Sequence, residues 1–475
     1  MATARDRSRS PSKNTDKQVQ NREPAVPLNA ACAAFQRIPS LISRYTQTPD
    51  ARRLVFVMVG LPARGKSFIS MRLARFLQWT GTDTQVFNVG KHRRGTETGK
   101  QDAKYFDPDS KACQARREQL AMEVLDDLLK WLKSGEDRFA IFDATNTTKS
   151  RRHRIAETLC DHDLGVIFVE SICNDAAILE ANLVQKLSKS QDYESMCPST
   201  ARRDFQDRIG HYEKVYEPIT EETMFLRNTV YQISYIKLFN LSSHVEAHNI
   251  WGRAASMVLP FLMALHIGSR PVWLVRLPHA EQTPAACHAS VDRWPPPPGL
   301  VFSEQPISAK GAFFADALAA FAKREAPDLV VFSCTHRRGL DVMERIQSSG
   351  RSRVRTALNP QERGAGFGLT SAQIASRFPR IWADPMSERF PGGENIADML
   401  TRLIPTFIEV EQEMRPVMVV ASNSVLQVIY CHYARQDVRE ALTIKLPMHG
   451  VVELRPDGQG GGHFCERRLG LSDLV

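Results

Sequence analysis

Cysteine pairs and long apolar runs are what this sequence lacks. Its nine cysteines are scattered along 475 residues, are odd in number, and are never spaced as C-x-x-C. This pattern argues against a disulfide framework or a zinc site and predicts reduced thiols. The most apolar stretch, residues 254–265, contains Pro260 and is too short to span a bilayer, so we expect a core helix there. The N-terminal residues are basic without an apolar segment, which argues against a signal peptide and favours a cytoplasmic protein without membrane attachment.

The charge balance is positive, with a formal net charge of +9 and a pI near 9.1. No RNA-binding motif and no basic run interleaved with aromatic residues accompanies this charge, so we do not expect a nucleic acid partner. Small phosphorylated molecules are anions that explain the charge equally well.

The chain is predicted to contain a polar tail and two globular units. Residues 1–50 begin with a segment rich in Arg, Ser, Lys and Asn and are expected to form a disordered tail and a connecting arm. Residues 51–265 and 266–475 both alternate short apolar runs with amphipathic segments, which is typical of α/β domains with mainly parallel sheets. The predicted strands lie near 54–59, 84–89, 139–143, 165–172, 272–276, 329–333, 417–422 and 450–454. The predicted helices lie near 67–79, 111–133, 175–187, 200–217, 309–323, 396–413 and 424–434.

A glycine-rich motif follows the first predicted strand. Residues 60–67 read Gly-Leu-Pro-Ala-Arg-Gly-Lys-Ser and fit the phosphate-binding loop G-x-x-x-x-G-K-[ST]. The glycines let backbone N–H groups surround phosphate oxygens, Lys66 supplies positive charge, and the Ser67 hydroxyl is suited to bind Mg²⁺ at a helix N-terminus. The motif therefore predicts a nucleotide site.

Charged residues follow the later strands of the first unit. Asp143 ends one of them, where P-loop enzymes hold an aspartate for Mg²⁺ or for its water shell; a turn capped by Asn and Thr is the alternative. Arginine binds phosphate through paired hydrogen bonds, so arginines at strand and helix ends indicate a second, phosphorylated substrate, although each one alone is more often a solvated surface charge. These arginines are Arg93, Arg94, Arg116, Arg117, Arg151, Arg152, Arg202, Arg203 and Arg208.

Several segments together resemble the kinase domain of the 6-phosphofructo-2-kinase/fructose-2,6-bisphosphatase family: GLPARGKS, FNVGKHRRG, FDATNTT, VESICND and RIGHYEKVYE. The resemblance implies a P-loop kinase domain over 51–265 and a histidine-phosphatase-like α/β domain over 266–475. It also implies transfer of the γ-phosphoryl group of ATP to the C2 hydroxyl of fructose 6-phosphate. The product would be fructose 2,6-bisphosphate, a regulator of glycolysis and gluconeogenesis. A homodimer is implied in the same way.

The resemblance assigns roles to individual residues. Lys66, Asp143 and Lys186 are expected to be catalytic, and Ser67 and Asp143 are the expected metal ligands. The expected ATP-binding residues are Gly60, Ala63, Arg64, Gly65, Lys66, Ser67, Asn182 and Gln185. Those expected to bind fructose 6-phosphate are Arg93, Arg94, Arg116, Thr145, Arg151, Arg208 and Tyr212.

One departure from the family concerns the lysine on the helix near the nucleotide. The family carries Asn-Ile-Val-Gln-x-Lys, whereas this chain reads Asn-Leu-Val-Gln-Lys at 182–186 and has its next lysine at position 189. A shift of one residue turns a helical side chain by about 100°. Lys186 and Lys189 are both candidates for the family lysine, and in the alternative both face solvent.

The second unit lacks the residues that hydrolyse phosphate esters in the family. The resemblance aligns the phosphorylated histidine of Arg-His-Gly-Glu with Leu277, a second histidine with Asn423, and an acidic residue with Phe367 or Gly368. Leucine has no lone pair to attack phosphorus, so covalent catalysis would need His279 instead. The residues that match or occupy positions of this degenerate pocket are Arg276, Leu277, Arg338, Glu394, Asn423 and His449.

We therefore expect a kinase that uses ATP and Mg²⁺ and carries an inactive second domain, which is either a structural remnant or still binds a phosphorylated sugar. Three alternatives stay open at this point. They are a bifunctional enzyme with residual bisphosphatase activity, a non-catalytic nucleotide or sugar-phosphate sensor, and a kinase for another small molecule or for a nucleic-acid end.

Overall fold

The computed structural model describes residues 53–97, 101–194, 196–221, 223–226, 229–280, 305–346, 351–367, 369–457 and 464–474. The tail and arm predicted at 1–50 lie outside these residues, as does Gly368. Within the described part of the chain, every helix falls short of the length or the hydrophobicity that a membrane crossing requires.

The first domain is built on a six-stranded sheet. Its strands are β1 (Arg53–Val59), β2 (Asp83–Asn88), β3 (Arg138–Asp143), β4 (Gly165–Ile172), β7 (Tyr235–Phe239) and β8 (His244–His248), and a separate hairpin contains β5 (Thr223–Leu226) and β6 (Thr229–Gln232). The order in the sheet is β2-β3-β1-β4-β7-β8, and only the edge strand β8 runs antiparallel to its neighbour. The central strand β1 is buried from Leu54 to Val59, as expected for a parallel strand covered by helices on both faces.

Helices cover both faces of this sheet. They are α1 (Lys66–Trp79), α2 (Val89–Thr96), α3 (Lys111–Lys133), α4 (Lys149–Cys160), α5 (Ala176–Lys189) and α6 (Pro198–Glu213). Asn88, Ser110 and Thr148 cap α2, α3 and α4 through their side chains. In contrast, α1 begins after Gly65 without a side-chain cap, which leaves its first N–H groups available to an anion.

The second domain has its own six-stranded sheet, in the order β11-β10-β12-β9-β13-β14. Its strands are β9 (Val272–Arg276), β10 (Val330–Ser333), β11 (Ser352–Val354), β12 (Val417–Ala421), β13 (Val451–Pro456) and β14 (Phe464–Leu469). After the connecting helix α7 (Leu259–Met263), its helices are α8 (Ala309–Glu325), α9 (Arg337–Ile346), α10 (Ser371–Arg377), α11 (Pro379–Ala383), α12 (Ile396–Gln412), α13 (Asn423–Ala434) and α14 (Leu471–Leu474).

Most of the predicted elements are confirmed, and three expectations need correction. The predicted strand at 450–454 runs antiparallel to β9 instead of continuing a parallel series. The helix predicted at 200–217 ends at Glu213. The predicted core helix at 254–265 is divided into a π-helical segment, Ala254–Val258, and the short α7.

The two domains share one hydrophobic core across the connecting segment. Phe76 of α1 stacks on Phe261 with a centroid distance of 4.1 Å, and the Trp79 ring lies 4.3 Å from that of Phe407 in α12. The indole N–H of Trp79 donates a hydrogen bond of 2.7 Å to the carbonyl oxygen of Val428 in α13. The helix that follows the glycine-rich loop is therefore packed directly on the second domain.

Candidate active site

The glycine-rich loop joins β1 to α1 in a conformation that its small residues make possible. Gly60 has φ of 133°, and a Cβ atom there would lie 2.5 Å from the carbonyl oxygen of Ser171. Gly65 and Ala63 also have positive φ values, 86° and 58°. The Asn182 side chain donates to the carbonyl oxygen of Ala63 at 3.0 Å and supports the loop from α5. This geometry suits backbone N–H groups that surround phosphate oxygens.

Lys66 and Asp143 approach each other at the carboxyl edge of the first sheet. Burial lowers the pKa of Lys66 to about 7; the charge of Asp143 opposes this shift, and those of Lys186 and Arg64 add to it. The Lys66 ammonium group donates to the carbonyl oxygen of Leu61 at 2.6 Å. A lysine with so low a pKa indicates a site that is short of negative charge when no anion is bound.

Asp143 is held by the neighbouring strand. The residue is buried, and its carboxylate accepts a hydrogen bond from the side chain of Asn88, its register partner in β2. Ser67 is half-buried in the first turn of α1. Among the described residues there is no group of three or more His, Cys, Asp or Glu that could hold a metal by itself, so a cation here would need oxygen ligands from a substrate or water.

Three of the predicted arginines converge on one buried carboxylate. Arg93 donates to Asp192 at 2.5 Å, while guanidinium nitrogens of Arg208 and Arg94 lie 3.7 Å and 4.0 Å from the same oxygen. Asp192 is only 3% exposed. Burial lowers the pKa of Arg94, with Asp192 opposing and Arg93 adding to the shift. The cluster is a concentrated source of positive charge suited to a phosphate group.

Lys186 belongs to the same region. Burial lowers its pKa, the charges of Arg208 and Arg94 lower it further, and those of Asp143 and Asp192 raise it. Lys186 therefore lies within electrostatic reach of both the predicted metal ligand and the arginine cluster. The side chain of Lys189 lies outside the described part of the chain. The catalytic role of Lys186 stays a prediction.

Other predicted acceptor residues surround this cluster. Arg116 donates to Glu97 at 3.1 Å, and the Tyr105 hydroxyl donates to the same oxygen at 3.2 Å. The Arg93 guanidinium lies 5.7 Å from the Tyr105 ring centroid, so Tyr105 links Arg116 to the cluster. The backbone of Thr145 accepts a hydrogen bond of 2.9 Å from Gly60, which places Thr145 beside the loop.

Arg151 and Tyr212, which were also predicted to bind the phosphorylated acceptor, are held by other side chains. Arg151 pairs with Glu118 at 2.6 Å. The Tyr212 ring packs on the Phe106 ring with a centroid distance of 5.8 Å. The Arg208 guanidinium carbon lies 3.7 Å from the centroid of the Phe106 ring. On the nucleotide side, Arg64 lies 3.7 Å from Glu213, and Asn182 and Gln185 line a cavity together with Gly65.

The acidic partners of these arginines were not predicted from the sequence. Asp192 and Glu97 organise the cluster, but each lies alone in the sequence, and nothing in its local pattern distinguishes it from a surface acid. Asp192 is 99 positions from Arg93, so only the fold shows that they meet. Glu97 also has one buried carboxylate oxygen without a hydrogen-bond partner in the described structure.

The corresponding edge of the second sheet retains its predicted arginines. Arg276 donates to the carbonyl oxygen of Leu446 at 3.1 Å, and Arg338 donates to that of Pro278 at 2.9 Å. Burial lowers the pKa of both guanidinium groups. Glu394 is occupied in an ion pair with Arg402 at 2.7 Å.

The predicted nucleophile position of the second domain is filled by a core side chain. Leu277 is 5% exposed and belongs to the shared hydrophobic core. His279 is exposed, and its backbone N–H donates to the His449 ring at 3.2 Å. The Asn423 side chain has a buried oxygen without a hydrogen-bond partner, and Phe367 is 41% exposed. The predicted pocket residues thus combine two arginines with a buried apolar side chain at the position predicted for the nucleophile.

Comparisons with known proteins agree with this two-domain architecture. Residues 43–269 match the 6-phosphofructo-2-kinase family model, and residues 303–463 match that of the histidine phosphatase superfamily, branch 1. The chain is 32% identical to a 6-phosphofructo-2-kinase/fructose-2,6-bisphosphatase of Caenorhabditis elegans, over 88% of this chain and 89% of the relative. It is 31% identical to 6-phosphofructo-2-kinase/fructose-2,6-bisphosphatase 1 of Rattus norvegicus (92% and 88%), and 32% identical to an Arabidopsis thaliana relative, of which it spans 58%.

Solved structures that are similar to this chain each cover less than half of it. A mycobacterial glucosyl-3-phosphoglycerate phosphatase gives a TM-score of 0.32 at 20% identity, with 42% of this chain and 98% of that chain covered. An α-ribazole phosphatase from Shigella flexneri gives a TM-score of 0.32 at 14% identity, with 42% and 96% covered.

The fold and its first site define a P-loop kinase domain joined to a histidine-phosphatase-type domain. The chain belongs to the 6-phosphofructo-2-kinase/fructose-2,6-bisphosphatase family.

Proposed function

We propose that this chain is an ATP-dependent 6-phosphofructo-2-kinase whose phosphatase-like domain does not hydrolyse fructose 2,6-bisphosphate. The observation that carries the proposal is the convergence of Lys66, Asp143 and the Asp192 arginine cluster at one edge of the first sheet. A nucleotide loop and a separate phosphate-binding cluster at one edge are what a kinase with a phosphorylated acceptor requires.

The residues present fit ATP and Mg²⁺. Loop N–H groups and Lys66 would hold the β- and γ-phosphates, and Ser67 and Asp143 offer the hard oxygen ligands that Mg²⁺ prefers. When bound, Mg²⁺ neutralises charge on these phosphates. Bound phosphates would also supply the negative charge that this cationic site lacks, and they would keep Lys66 protonated.

The arginine cluster would bind the 6-phosphate of the acceptor and orient its C2 hydroxyl. In the transfer, the hydroxyl oxygen forms a bond to the γ-phosphorus, the bond from this phosphorus to the bridging oxygen breaks, ADP leaves, and the hydroxyl proton passes to solvent. A loose transition state needs little help from a base, so positioning and charge neutralisation carry the reaction.

The second domain is proposed to be inactive because, among the described residues, no nucleophile occupies the position that the resemblance gives to the family histidine. Leu277 is aligned with that histidine and is buried, and the His279 side chain is exposed. Arg276 and Arg338 are available for binding an anion, but binding alone does not cleave an ester.

The test is product formation from Mg²⁺-ATP and fructose 6-phosphate. Wild type should make fructose 2,6-bisphosphate, and Lys66→Met should reduce kcat by about 10³-fold. Lys130→Met is the matched control, since Lys130 is 77% exposed and pairs with nearby Asp127 at 3.2 Å. A wild type that binds Mg²⁺-ATP without forming product would contradict the proposal and favour a sensor.

A further inference from the structure

A buried ion pair joins the helix of the nucleotide loop to the second domain. Arg72 of α1 donates to one carboxylate oxygen of Glu411 in α12, and the other oxygen accepts a hydrogen bond of 2.6 Å from the Tyr433 hydroxyl. Arg72 is 7% exposed and Glu411 is 3% exposed. Among the described hydrogen bonds and ion pairs between α1 and the second domain, this pair lies nearest to the loop.

The pair also lies beside the proposed nucleotide site. A cavity of about 1030 Å³ between the domains is lined by Gly65, Asn182 and Gln185 on one side and by Arg72 and Glu411 on another. Arg72 follows Ser67 by five residues, which is roughly 7.5 Å along a helix axis. A change in the orientation of α1 at Arg72 would therefore move the loop N–H groups directly.

Glu411 balances more than one positive charge. The three guanidinium nitrogens of Arg75, one turn further along α1, are buried and have no hydrogen-bond partner in the described structure; the group packs on the Phe464 ring at 5.6 Å. Burial lowers the pKa of Arg75 to about 9, and the charges of Arg435 and Arg72 add to the shift. Burial alone would raise the pKa of Glu411, but chiefly the charge of Arg72 lowers it to about 2.

We propose that Glu411 is a positioning residue for the kinase reaction, through which the phosphatase-like domain fixes the orientation of α1 and of the nucleotide loop. The inference rests on the proposed function of that loop. Without the Glu411 charge, Arg72 loses its carboxylate partner and Arg75 loses a nearby negative charge. Removing one partner of a buried ion pair is strongly destabilising because the other charge stays buried and unpaired. The helix then shifts, and the loop loses alignment with the phosphates.

The test compares two glutamates on the same helix. Glu411→Gln should raise the KM for ATP by about fivefold or more, with less than a twofold change in the KM for fructose 6-phosphate. Glu409→Gln is the matched control: Glu409 pairs with Arg355 at 2.6 Å, within the second domain, and its loss should leave both KM values unchanged. A purely structural role for Glu411 would lower thermal stability without this difference between the two substrates.

A second variant distinguishes the proposed effect on the loop from a folding defect. Arg72→Met combined with Glu411→Met replaces the pair by apolar side chains, a change that buried pairs often tolerate. This protein should fold, and because buried Arg75 still lacks the Glu411 charge, it should still show the raised KM for ATP. A wild-type KM, in this variant or in Glu411→Gln, would overturn the inference. Calorimetric titration of each variant with Mg²⁺-ATP, without acceptor, gives a second readout. If wild type bound ATP but made no product, the proposed function would fail, and the dissociation constants would still decide the inference.

Discussion

The two sheets end in similar edges with different side chains. At the edge of the first sheet, Lys66, Asp143 and the Asp192 cluster place charged groups where phosphates would bind. At the edge of the second, Leu277 is buried among core residues, and Arg276 and Arg338 donate hydrogen bonds to backbone carbonyl oxygens. The difference teaches that two sheet edges of similar architecture can carry different side chains, and that these side chains rather than the fold determine the chemistry of each edge.

The largest effect that would sharpen this contrast is expected at Asp143. Asp143→Asn removes a buried negative charge and a proposed metal ligand, so kcat should fall by about 10³-fold. Initial rates of fructose 2,6-bisphosphate formation provide the measurement. Asp316→Asn is the control in the second domain, where Asp316 is 68% exposed and pairs with Arg345 at 3.0 Å; its rate should equal that of wild type. Comparable losses in both variants would contradict the assignment of the site.

A second, smaller effect is expected at Asp192. Asp192→Asn removes the common anchor of Arg93, Arg94 and Arg208, so the KM for fructose 6-phosphate should rise by about tenfold while the KM for ATP changes little. Asp175→Asn is the control, because Asp175 caps α5 and asparagine caps helices equally well. A lower KM for fructose 6-phosphate would instead show that Asp192 competes with the sugar phosphate for the arginines.

The second domain should respond in stability rather than in catalysis. Leu277→Ala opens a cavity in the shared core and should lower the free energy of unfolding by about 2–4 kcal/mol, measured by urea denaturation. Phe313→Ala, at a side chain that is 58% exposed, should have little effect. Both variants should keep wild-type kinase constants under folding conditions. A lower kcat or a higher KM of the kinase reaction in folded Leu277→Ala would contradict the claim that the second edge takes no part in catalysis.

The smallest expected effect is proton uptake when ATP binds. Because the pKa of Lys66 is lowered to about 7 in the free protein, Lys66 is mostly neutral at pH 8, and the negative charge of ATP should raise this pKa again. ATP binding at pH 8 should therefore take up part of a proton, and affinity should fall as pH rises from about 7 to 9. Calorimetry in two buffers of different ionisation enthalpy measures the uptake. It should vanish in Lys66→Met and persist in Lys130→Met; equal uptake in both would assign the proton elsewhere.

Contiguous motifs and buried strands were predictable from the sequence. The loop at residues 60–67 carries its chemistry in one short segment, and β1 and β3 are short apolar runs of the length typical of buried strands. Edge strands were harder to predict. The strands β8 (HVEAH) and β14 (FCERRL) are polar, and α4 (KSRRHRIAETLC) has a weak apolar stripe, so none of the three was identified.

The partners that organise the site could not be predicted in this way. Asp192 meets Arg93 only in the folded first domain, and Glu411 meets Arg72 across 339 positions only when both domains have folded. Spacing also did not decide between Lys186 and Lys189, because a helix position fixes a direction only when the neighbouring elements are known. Burial and nearby charges place Lys186 near the site, and the side chain of Lys189 lies outside the described residues.

The most direct measurement follows both reactions in one preparation. Fructose 2,6-bisphosphate labelled on its C2 phosphate is incubated with wild type, and released phosphate and covalently labelled protein are counted beside the rate of kinase turnover. The account predicts kinase turnover that requires Lys66, with phosphate release and protein labelling no higher than without enzyme. Phosphate release or labelling above that level, or the absence of kinase turnover, would contradict the claim that the first sheet edge is the only working catalytic centre.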